Sequence, residues 1–226
     1  MVAKKIAAER AVENIREGMT VGLGSGSTAY YMIERIGEKV KQGLKIKTVA
    51  SSVRSEDLAR KFNIPTFPVS AVGGIDIAID GADEVDEKGN LMKGGGGSLL
   101  REKILAFAST LFFVIIDGSK LVDHLGRRPV PVEITPFGAA LTLQHLRALG
   151  CDPSIRKTEG NNFISDNGNM VVDCKFQTIE DPAWLDMEIK IIPGVVETGL
   201  FSKKIVTSIF VGYDNGEVIE RYPQGK

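Results

Sequence analysis

The segment TVGLGSGSTA, residues 20–29, decides the fold of this chain. Its first four residues form a short, mostly apolar run, which predicts a buried strand. A turn rich in glycine and hydroxyl side chains follows. The apolar residues Ile33, Ile36 and Val40 then recur at helical spacing, and Gly43 is a typical helix stop. A strand, a tight turn and a helix in this order are the building block of α/β folds.

Further strands and helices alternate on both sides of this segment. Apolar runs predict strands at 46–50, 65–69, 75–80 and 111–116, and helical periodicity predicts helices over 6–15, 54–62 and 99–108. Strands that are apolar along their whole length suit a parallel sheet with helices on both faces. We therefore predict a doubly wound, mostly parallel, Rossmann-like α/β domain.

The pattern changes after about residue 125. An extended stretch at 129–134 precedes Thr135-Pro136, a typical N-cap with proline at the first helical position, and predicts a helix to Leu149. Asp166-Asn167-Gly168-Asn169 predicts a hairpin between 162–165 and 170–176. A second helix (181–189) and a strand (195–201) follow. These elements predict an inserted, smaller α+β domain of ferredoxin-like type.

The predicted domain division follows from these patterns. The α/β domain comprises residues 1–127 plus 205–226, and the inserted domain comprises 128–204. The last segment of the α/β domain predicts a terminal strand pair at 205–211 and 217–222, joined by Asp214-Asn215-Gly216.

Composition narrows the class of protein. The 226 residues carry 28 Lys plus Arg against 29 Asp plus Glu, a formal net charge of −1. That balance argues against a protein whose main function is to bind nucleic acid or an anionic membrane. Two cysteines and two histidines at isolated positions give no metal-ligand pattern and no disulfide framework. With no apolar signal segment at the N-terminus, we expect a cytoplasmic protein.

The first glycine loop, residues 24–29, matches GxGxxA, a pattern typical of loops that bind a dinucleotide cofactor. The chain at Ala50-Ser51-Ser52 lacks the acidic residue that would bind a ribose, which disfavours a nicotinamide-dependent oxidoreductase. The hydroxyls of Ser25, Ser27 and Thr28, with the backbone at Gly26, suit a small phosphate at a helix N-terminus. A plain turn with a hydroxyl cap is the alternative.

Two further motifs carry candidate chemistry. Asp80-Gly81-Ala82-Asp83 follows an apolar strand, where the ligands of open α/β sheets bind, and its carboxylates suit proton transfer between sugar hydroxyls. A solvated acidic loop is the alternative. Lys93 precedes Gly94, Gly95, Gly96 and Gly97, whose bare backbone can face a negative oxygen.

Glu102 lies in the helix after these glycines, and it can act as a base toward a carbon-bound proton. Lys120, in Asp117-Gly118-Ser119-Lys120, also follows a strand. It can add positive charge at the carboxyl ends of the strands, where the ligand is expected. An exposed turn lysine is the alternative reading of Lys120.

Taken together, these segments resemble the ribose-5-phosphate isomerases of the A type. The matching motifs are GSGSTA (24–29), DGADEVD (80–86), KGGGGSLLREK (93–103), DGSK (117–120), PVEI (131–134), SDNGN (165–169) and IPGVVETGLF (192–201). Seven motifs in order over most of the chain make the resemblance specific. It implies interconversion of D-ribose 5-phosphate and D-ribulose 5-phosphate through a cis-enediolate, with no cofactor and no metal.

The resemblance also implies roles for individual residues. Glu102 falls on the base, and Lys93, Asp80 and Asp83 fall on the other catalytic positions. Substrate contacts fall on Ser25 to Thr28, Asp80 to Asp83, Lys93 to Gly96 and Lys120, with Lys4 or Lys5 a weaker candidate for the phosphate. The chain departs from many relatives at Ser25, where they have Thr, and at Ser98, where they have Ala.

The resemblance further implies a homodimer or homotetramer, with a sugar phosphate as the small-molecule partner and neither nucleic acid nor membrane. One alternative of another class stays open: a non-enzymatic domain of the same fold that senses sugar phosphates.

Overall fold

The fold is that of a computed structural model, and residues 1–224 are described. Its α-helices are α1 (Val2–Val12), α2 (Gly26–Lys41), α3 (Val53–Lys61), α4 (Leu99–Ala108), α5 (Ala139–Ala148) and α6 (Pro182–Lys190). Its strands are β1 (Thr20–Leu23), β2 (Lys47–Ala50), β3 (Ile75–Gly81), β4 (Glu84–Val85), β5 (Leu91–Met92), β6 (Ser109–Asp117), β7 (Val130–Ile134), β8 (Asp152–Ile155), β9 (Lys157–Thr158), β10 (Asn161–Asn162), β11 (Met170–Lys175), β12 (Val195–Thr198), β13 (Leu200–Phe201), β14 (Ser208–Gly212) and β15 (Val218–Arg221).

The chain divides into two compact units. The first unit comprises Met1–Ala82, Arg101–Leu121 and residues 203–224, and the second comprises Asp83–Leu100 and Val122–Ser202. Helix α4 therefore begins with two residues of the second unit and continues in the first.

The first unit is built on a six-stranded sheet in the order β15-β14-β6-β3-β1-β2. All neighbouring strands are parallel except the edge pair β14–β15, which is antiparallel. Apolar side chains from α1, α2 and the central strands form one core, with Met32, Ile77 and Phe210 almost fully buried. The mostly parallel sheet expected from the continuous apolar strands is confirmed.

The second unit contains a four-stranded antiparallel sheet in the order β12-β7-β11-β8. Numbered along the chain, this is the order 4-1-3-2 of a β-α-β-β-α-β motif, the ferredoxin-like connectivity. Its core includes Val132, Val172 and Ile189. A smaller three-stranded sheet, β13-β5-β4, belongs to the same unit.

The compact units differ from the predicted domain division mainly at residues 83–100, and also at the short boundary segments 122–127 and 203–204. Residues 83–100 were predicted within the α/β domain, but they belong to the second unit. The reason is strand pairing, because Leu91 and Met92 of β5 pair with Phe201 and Leu200 of β13. Met92 is also part of the second unit's core. Two-residue strands are too short to show any hydrophobic periodicity.

Several predicted elements differ locally. The stretch 65–69 makes only an isolated bridge at Thr66, since Pro65 and Pro68 offer no N–H for a ladder. Helix α5 begins at Ala139, with Gly138 as its N-cap at φ +72°, so the predicted cap at Thr135-Pro136 is wrong. Thr135 instead donates its hydroxyl hydrogen to the carbonyl of Phe137.

The predicted strands 162–165 and 195–201 are also corrected. Around the Asp166–Asn169 turn the hairpin is reduced to an isolated bridge between Ile164 and Met170. Residues 195–201 split at Gly199 into β12 and β13, which lie in different sheets. A side chain at Gly199 would place its Cβ 2.2 Å from the carbonyl oxygen of Lys93.

The helices also bear on membrane insertion. Between residues 1 and 224, none combines the length and the hydropathy that crossing a bilayer requires.

Candidate active site

The first glycine loop, residues 24–29, follows β1 and includes the first turn of α2. Its Gly24 packs directly on Asp80, because a Cβ at this position would lie 2.1 Å from Oδ1 of that carboxylate. Gly26 adopts φ +90°, a backbone conformation that other residues rarely reach. Glycine is therefore required at Gly24 because the backbone approaches Asp80 closely, and at Gly26 because the backbone has a positive φ.

Asp80 lies near the end of β3 and is only 3% exposed. Its Oδ1 accepts hydrogen bonds from the backbone N–H of Ser25, across 2.9 Å, and of Gly81, across 2.7 Å. Asp80 lies at a strand end, as the apolar run before it predicts. Its contact with the glycine loop is a finding of the structure.

Glu102 lies in the first turn of α4 and is 6% exposed. The hydroxyl of Ser25 donates to its Oε1 across 2.6 Å. Ser25 therefore contacts both buried carboxylates, one through its backbone and one through its side chain. Asp80 and Glu102 also line one small pocket of the first unit together with Gly24.

A group of positive charges belongs to the same unit. Lys4 of α1 donates from Nζ to the hydroxyl oxygen of Ser27 across 2.9 Å, and it lies 4.0 Å from Oδ2 of Asp117. Lys5 instead lies 3.9 Å from Glu9 on the same helix. Of the two candidate lysines, Lys4 is the one at the glycine loop.

Asp117 ends β6 and precedes the 3₁₀ turn that carries Lys120. Burial raises the pKa of its carboxyl, but hydrogen bonds from Ser119 and the charges of Lys120 and Lys4 outweigh burial. The pKa therefore lies below its usual value. The ionised Asp117 ties these two lysines electrostatically to one region of the first unit.

Thr28 and Ala82 complete the predicted residues of the first unit. Thr28 is buried in the first turn of α2, and a Cβ added at Gly81 would lie 3.9 Å from its Cβ. Ala82, the last residue before the second unit begins, is half-buried.

The second glycine loop and Asp83 lie in the second unit. The backbone N–H of Gly95 donates to Oδ2 of Asp83 across 2.7 Å, and a Cβ on Gly95 would lie 2.8 Å from Oδ1. Gly94 and Gly97 both have positive φ, and the N–H of Gly97 closes a tight turn onto the carbonyl of Gly94. Gly96 is exposed, with nothing within 4 Å of an added Cβ.

Lys93 is buried in the second unit, at 3% exposure. Its backbone N–H donates to the carbonyl of Gly199 across 2.8 Å, and its Nζ lies 5.6 Å from the ring centroid of Phe201. Strand β13 and the turn before it thus hold this lysine at the entrance to the glycine loop.

A family comparison decides what these motifs belong to. The family model "Ribose 5-phosphate isomerase A (phosphoriboisomerase A)" matches residues 47–216. The chain belongs to the ribose-5-phosphate isomerase A family.

Individual relatives agree with the assignment to the ribose-5-phosphate isomerase A family. The chain is similar to "Ribose-5-phosphate isomerase A" of Picrophilus torridus, at 48% identity over 94% of both chains. It is 52% identical to the protein of that name from Gluconobacter oxydans, over 88% of both chains.

Solved structures of the family share the fold. A ribose 5-phosphate isomerase from Plasmodium falciparum matches with a TM-score of 0.93 at 39% identity, covering 98% of each chain. A D-ribose-5-phosphate isomerase in complex with phospho-erythronic acid matches with a TM-score of 0.92 at 39% identity, covering 97% of each chain. Together these matches confirm the resemblance drawn from the seven motifs, the Rossmann-like fold class, and that the protein is an enzyme of the isomerase class.

Sequence reasoning missed one residue of the site region in this family member. Arg156 donates from Nη1 to the carbonyl oxygens of Gly94 and Gly95, across 2.8 Å and 3.2 Å. It follows a short strand more than sixty residues along the chain and lies in none of the seven motifs. No local signal could have linked it to the glycines.

Among residues 1–224, no group of three or more His, Cys, Asp or Glu side chains is arranged to hold a metal ion. Cys151 and Cys174 are buried free thiols of the second unit.

Proposed function

We propose that this enzyme interconverts D-ribose 5-phosphate and D-ribulose 5-phosphate through a cis-enediolate, with Glu102 as the general base. The observation that carries the proposal is Ser25, which holds Glu102 through its hydroxyl and Asp80 through its backbone. A base and a second carboxylate are thereby fixed beside a loop suited to a phosphate. Members of the family bear the name of this reaction.

The phosphate of the substrate binds at the first glycine loop in this proposal. Backbone N–H groups at the start of α2 lack partners within the helix and carry the positive end of its dipole. Ser27 adds a hydroxyl, and Lys4 and Lys120 add positive charge, so a dianion is favoured at this end of the first unit. Binding there fixes the 5-phosphate and leaves the other end of the sugar for the chemistry.

Glu102 performs the proton transfer between carbons. Its carboxylate removes the proton from C2 of the open-chain aldose, and the electrons of that bond form the enediolate. The same group, now protonated, delivers the proton to C1 and completes the ketose. A single buried carboxylate suits this shuttle because water that would exchange the proton is kept away.

Asp80 and Asp83 serve the oxygen atoms of the sugar. One of them assists ring opening by taking the proton of the anomeric hydroxyl and giving it to the ring oxygen as the C1–O4 bond breaks. A carboxylate also moves the proton of O2 to O1, so that O2 ends as the ketone oxygen and O1 as a hydroxyl. Each is held by backbone N–H groups of its own unit, Asp80 by Ser25 and Gly81, Asp83 by Gly95. Fixed carboxylates need little rearrangement during the reaction.

Lys93 and neighbouring backbone N–H groups of the second glycine loop offset the negative charge of the enediolate, whereas the N–H of Gly95 holds Asp83. A buried ammonium and bare main chain are both suited to a planar oxyanion. The relative in complex with phospho-erythronic acid supports this role, since that compound joins a phosphate to a planar carboxylate.

The experiment is a coupled assay for ketose formation from ribose 5-phosphate, run with and without EDTA. We expect turnover that EDTA leaves intact, and a far lower kcat/KM for free ribose because the phosphate anchor is missing. Binding of ribose 5-phosphate without turnover would instead identify a sensing domain. Comparable kcat/KM for ribose and ribose 5-phosphate would contradict the role of the first glycine loop.

We also propose a cytoplasmic homodimer or homotetramer. The second unit exposes large apolar side chains on and beside α5 and α6: Phe137 (93%), Leu141 (62%), Trp184 (52%), Met187 (60%) and Ile191 (73%). Exposed apolar surface of this kind is typical of an interface between subunits. Light scattering of the purified protein and of Ile191→Glu tests the assembly, and a monomeric wild-type protein would contradict it.

The proposed cytoplasmic location rests on the two free thiols, which fit a reducing compartment.

A further inference from the structure

Arg156 of the second unit is held in one geometry by Asp173. Nε of Arg156 donates to Oδ2 across 2.9 Å and Nη2 donates to Oδ1 across 2.5 Å, a two-point pairing in which the side chains are only 15% and 25% exposed. The backbone is fixed as well, because the N–H of Arg156 donates to Val171 and its carbonyl accepts from Phe163. The guanidinium is therefore pre-positioned.

The remaining edge of that guanidinium faces the second glycine loop. Nη1 donates to the carbonyl oxygen of Gly94 across 2.8 Å and to that of Gly95 across 3.2 Å. Phe163, whose N–H donates to the carbonyl of Arg156, contacts the other end of the glycine loop. It packs so closely against Gly97 that a Cβ on Gly97 would lie 2.3 Å from the ring of Phe163. Phe163 also stacks near the guanidinium, 5.8 Å from its ring centroid.

Peptide geometry turns these contacts into a statement about N–H groups. In a planar trans peptide the carbonyl and the following N–H point in opposite directions. Arg156 holds the carbonyl of Gly94, and the N–H of Gly95 on the other side of that peptide donates to Asp83. By the same geometry, the carbonyl of Gly95 points toward Arg156, to which it is hydrogen-bonded, and the N–H of Gly96 therefore points away from Arg156.

We propose that Arg156 is a positioning residue for the isomerisation, fixing and polarising these two peptide groups. One peptide holds the carboxylate of Asp83, and the other presents the N–H of Gly96 as a donor to the oxyanion of the enediolate. A cation that draws on the carbonyl oxygens makes the opposite N–H groups stronger donors. The proposal rests on the proposed function, whose enediolate the donor serves.

Arginine suits this role and lysine does not. Binding both oxygens of Asp173 and two carbonyls at once requires several donors in a rigid plane, which a guanidinium has and a single ammonium lacks. Arg156→Lys keeps the charge and loses the geometry, so it separates positioning from simple electrostatics.

The test compares Arg156→Lys and Asp173→Asn with the wild-type enzyme. The matched control is Lys190→Met, which removes another cation of the second unit that holds a carbonyl, that of Val196, and a carboxylate, that of Glu197. Four quantities are measured: kcat, KM for ribose 5-phosphate, the Kd of phospho-erythronic acid and the Kd of inorganic phosphate. Circular dichroism and Tm establish folding.

For Arg156→Lys we expect kcat to fall about 10- to 100-fold, since a small misplacement of catalytic groups has an effect of that size. The Kd of phospho-erythronic acid should rise with it, whereas KM and the Kd of phosphate should stay within about 3-fold because the phosphate anchor is in the first unit. Asp173→Asn should show a smaller change in the same direction, and it decides the matter if Arg156→Lys does not fold. Lys190→Met should keep the wild-type kcat.

Two results would overturn the positioning role. One is a wild-type kcat in a folded Arg156→Lys enzyme, or in Asp173→Asn where that variant decides. The other is a loss of kcat that Lys190→Met shares in full, which would indicate a general effect of destabilising the second unit. Failure of the proposed function looks different, because the wild-type enzyme itself would then form no ketose from ribose 5-phosphate.

Discussion

The hydroxyl of Ser25 donates a hydrogen bond to Oε1 of Glu102 across 2.6 Å, although 77 residues separate them in the chain. The loop expected to bind phosphate therefore also orients the expected base. A hydrogen bond to an ionised acceptor is among the stronger ones available to a side chain. In the proposed reaction, this bond aims the carboxylate while the phosphate anchors the substrate at the neighbouring residues.

Replacing Glu102 by glutamine tests the base. Glutamine has nearly the same size and keeps an oxygen that can accept from Ser25, but it cannot take up a proton at catalytic pH. We expect Glu102→Gln to lower kcat at least ~100-fold while the Kd of phospho-erythronic acid changes little. Rates of ketose formation and calorimetric titration measure the two effects. Near-normal turnover would remove Glu102 from this role.

Ser25 offers a matched pair of substitutions. Ser25→Ala removes the hydrogen bond to Glu102, and we expect kcat to fall about 10-fold, the kinetic equivalent of one hydrogen bond to a charged group. Ser25→Thr keeps the hydroxyl and should keep most of the activity. Steady-state kinetics of both variants checks the expectation. Equal rates in the alanine and threonine variants would mean that the hydroxyl does not orient the base.

Much of the site-bearing fold follows from local patterns in the sequence. The segment 20–29 predicts the strand, loop and helix that the structure has as β1 and α2, because burial on both faces and helical spacing are visible within a few residues. Asp80 was correctly expected near a strand end for the same reason.

Contacts between distant segments could not be predicted in this way. Arg156 reaches carbonyls 61 and 62 residues away, and its position after a short strand carries no motif. The assignment of residues 83–100 to the second unit depends on two-residue strands whose partner lies more than a hundred residues downstream. Such pairings follow from tertiary packing, which overrides local propensity.

Gly24 tests how tightly the first loop packs on Asp80. In Gly24→Ala the new Cβ would lie 2.1 Å from Oδ1 and 2.5 Å from Cβ of Asp80, so the whole side chain must move. We expect a loss of about 1–3 kcal/mol in the free energy of unfolding and a lower kcat. Gly74→Ala is the control, since its Cβ meets nothing within 4 Å. Urea unfolding of both variants gives the comparison, and equal stabilities would refute the close packing.

Asp117 gives a pH dependence with a definite sign. Its pKa lies below the ordinary value of 3.8, because the bonds from Ser119 and the charges of Lys120 and Lys4 outweigh burial. The folded state therefore binds a proton at Asp117 less readily than the unfolded state does. The stabilisation is complete above the ordinary pKa and is lost as the pH falls through the lowered one.

We therefore expect the wild-type enzyme to be more stable than Asp117→Asn at neutral pH. This difference should shrink as the pH falls below about 4. Unfolding by urea at several pH values between 7 and 3 measures the difference. A gap that stays constant over this range would show that the charge of Asp117 does not contribute.

Lys4 and Lys5 are adjacent in α1 but make different contacts, which lets one experiment choose between them. Lys4 donates to Ser27 in the first glycine loop, whereas Lys5 lies beside Glu9. If Lys4 adds to the field that holds the phosphate, Lys4→Met should raise KM for ribose 5-phosphate about 10-fold with a smaller effect on kcat, since a phosphate contact acts equally on the bound substrate and the transition state. Lys5→Met should leave KM near the wild-type value. The effect of Lys4→Met should also weaken at high salt, because part of this attraction acts through solvent. A KM that rises only in Lys5→Met would move the phosphate contact to the other lysine and separate Lys4 from the anchor.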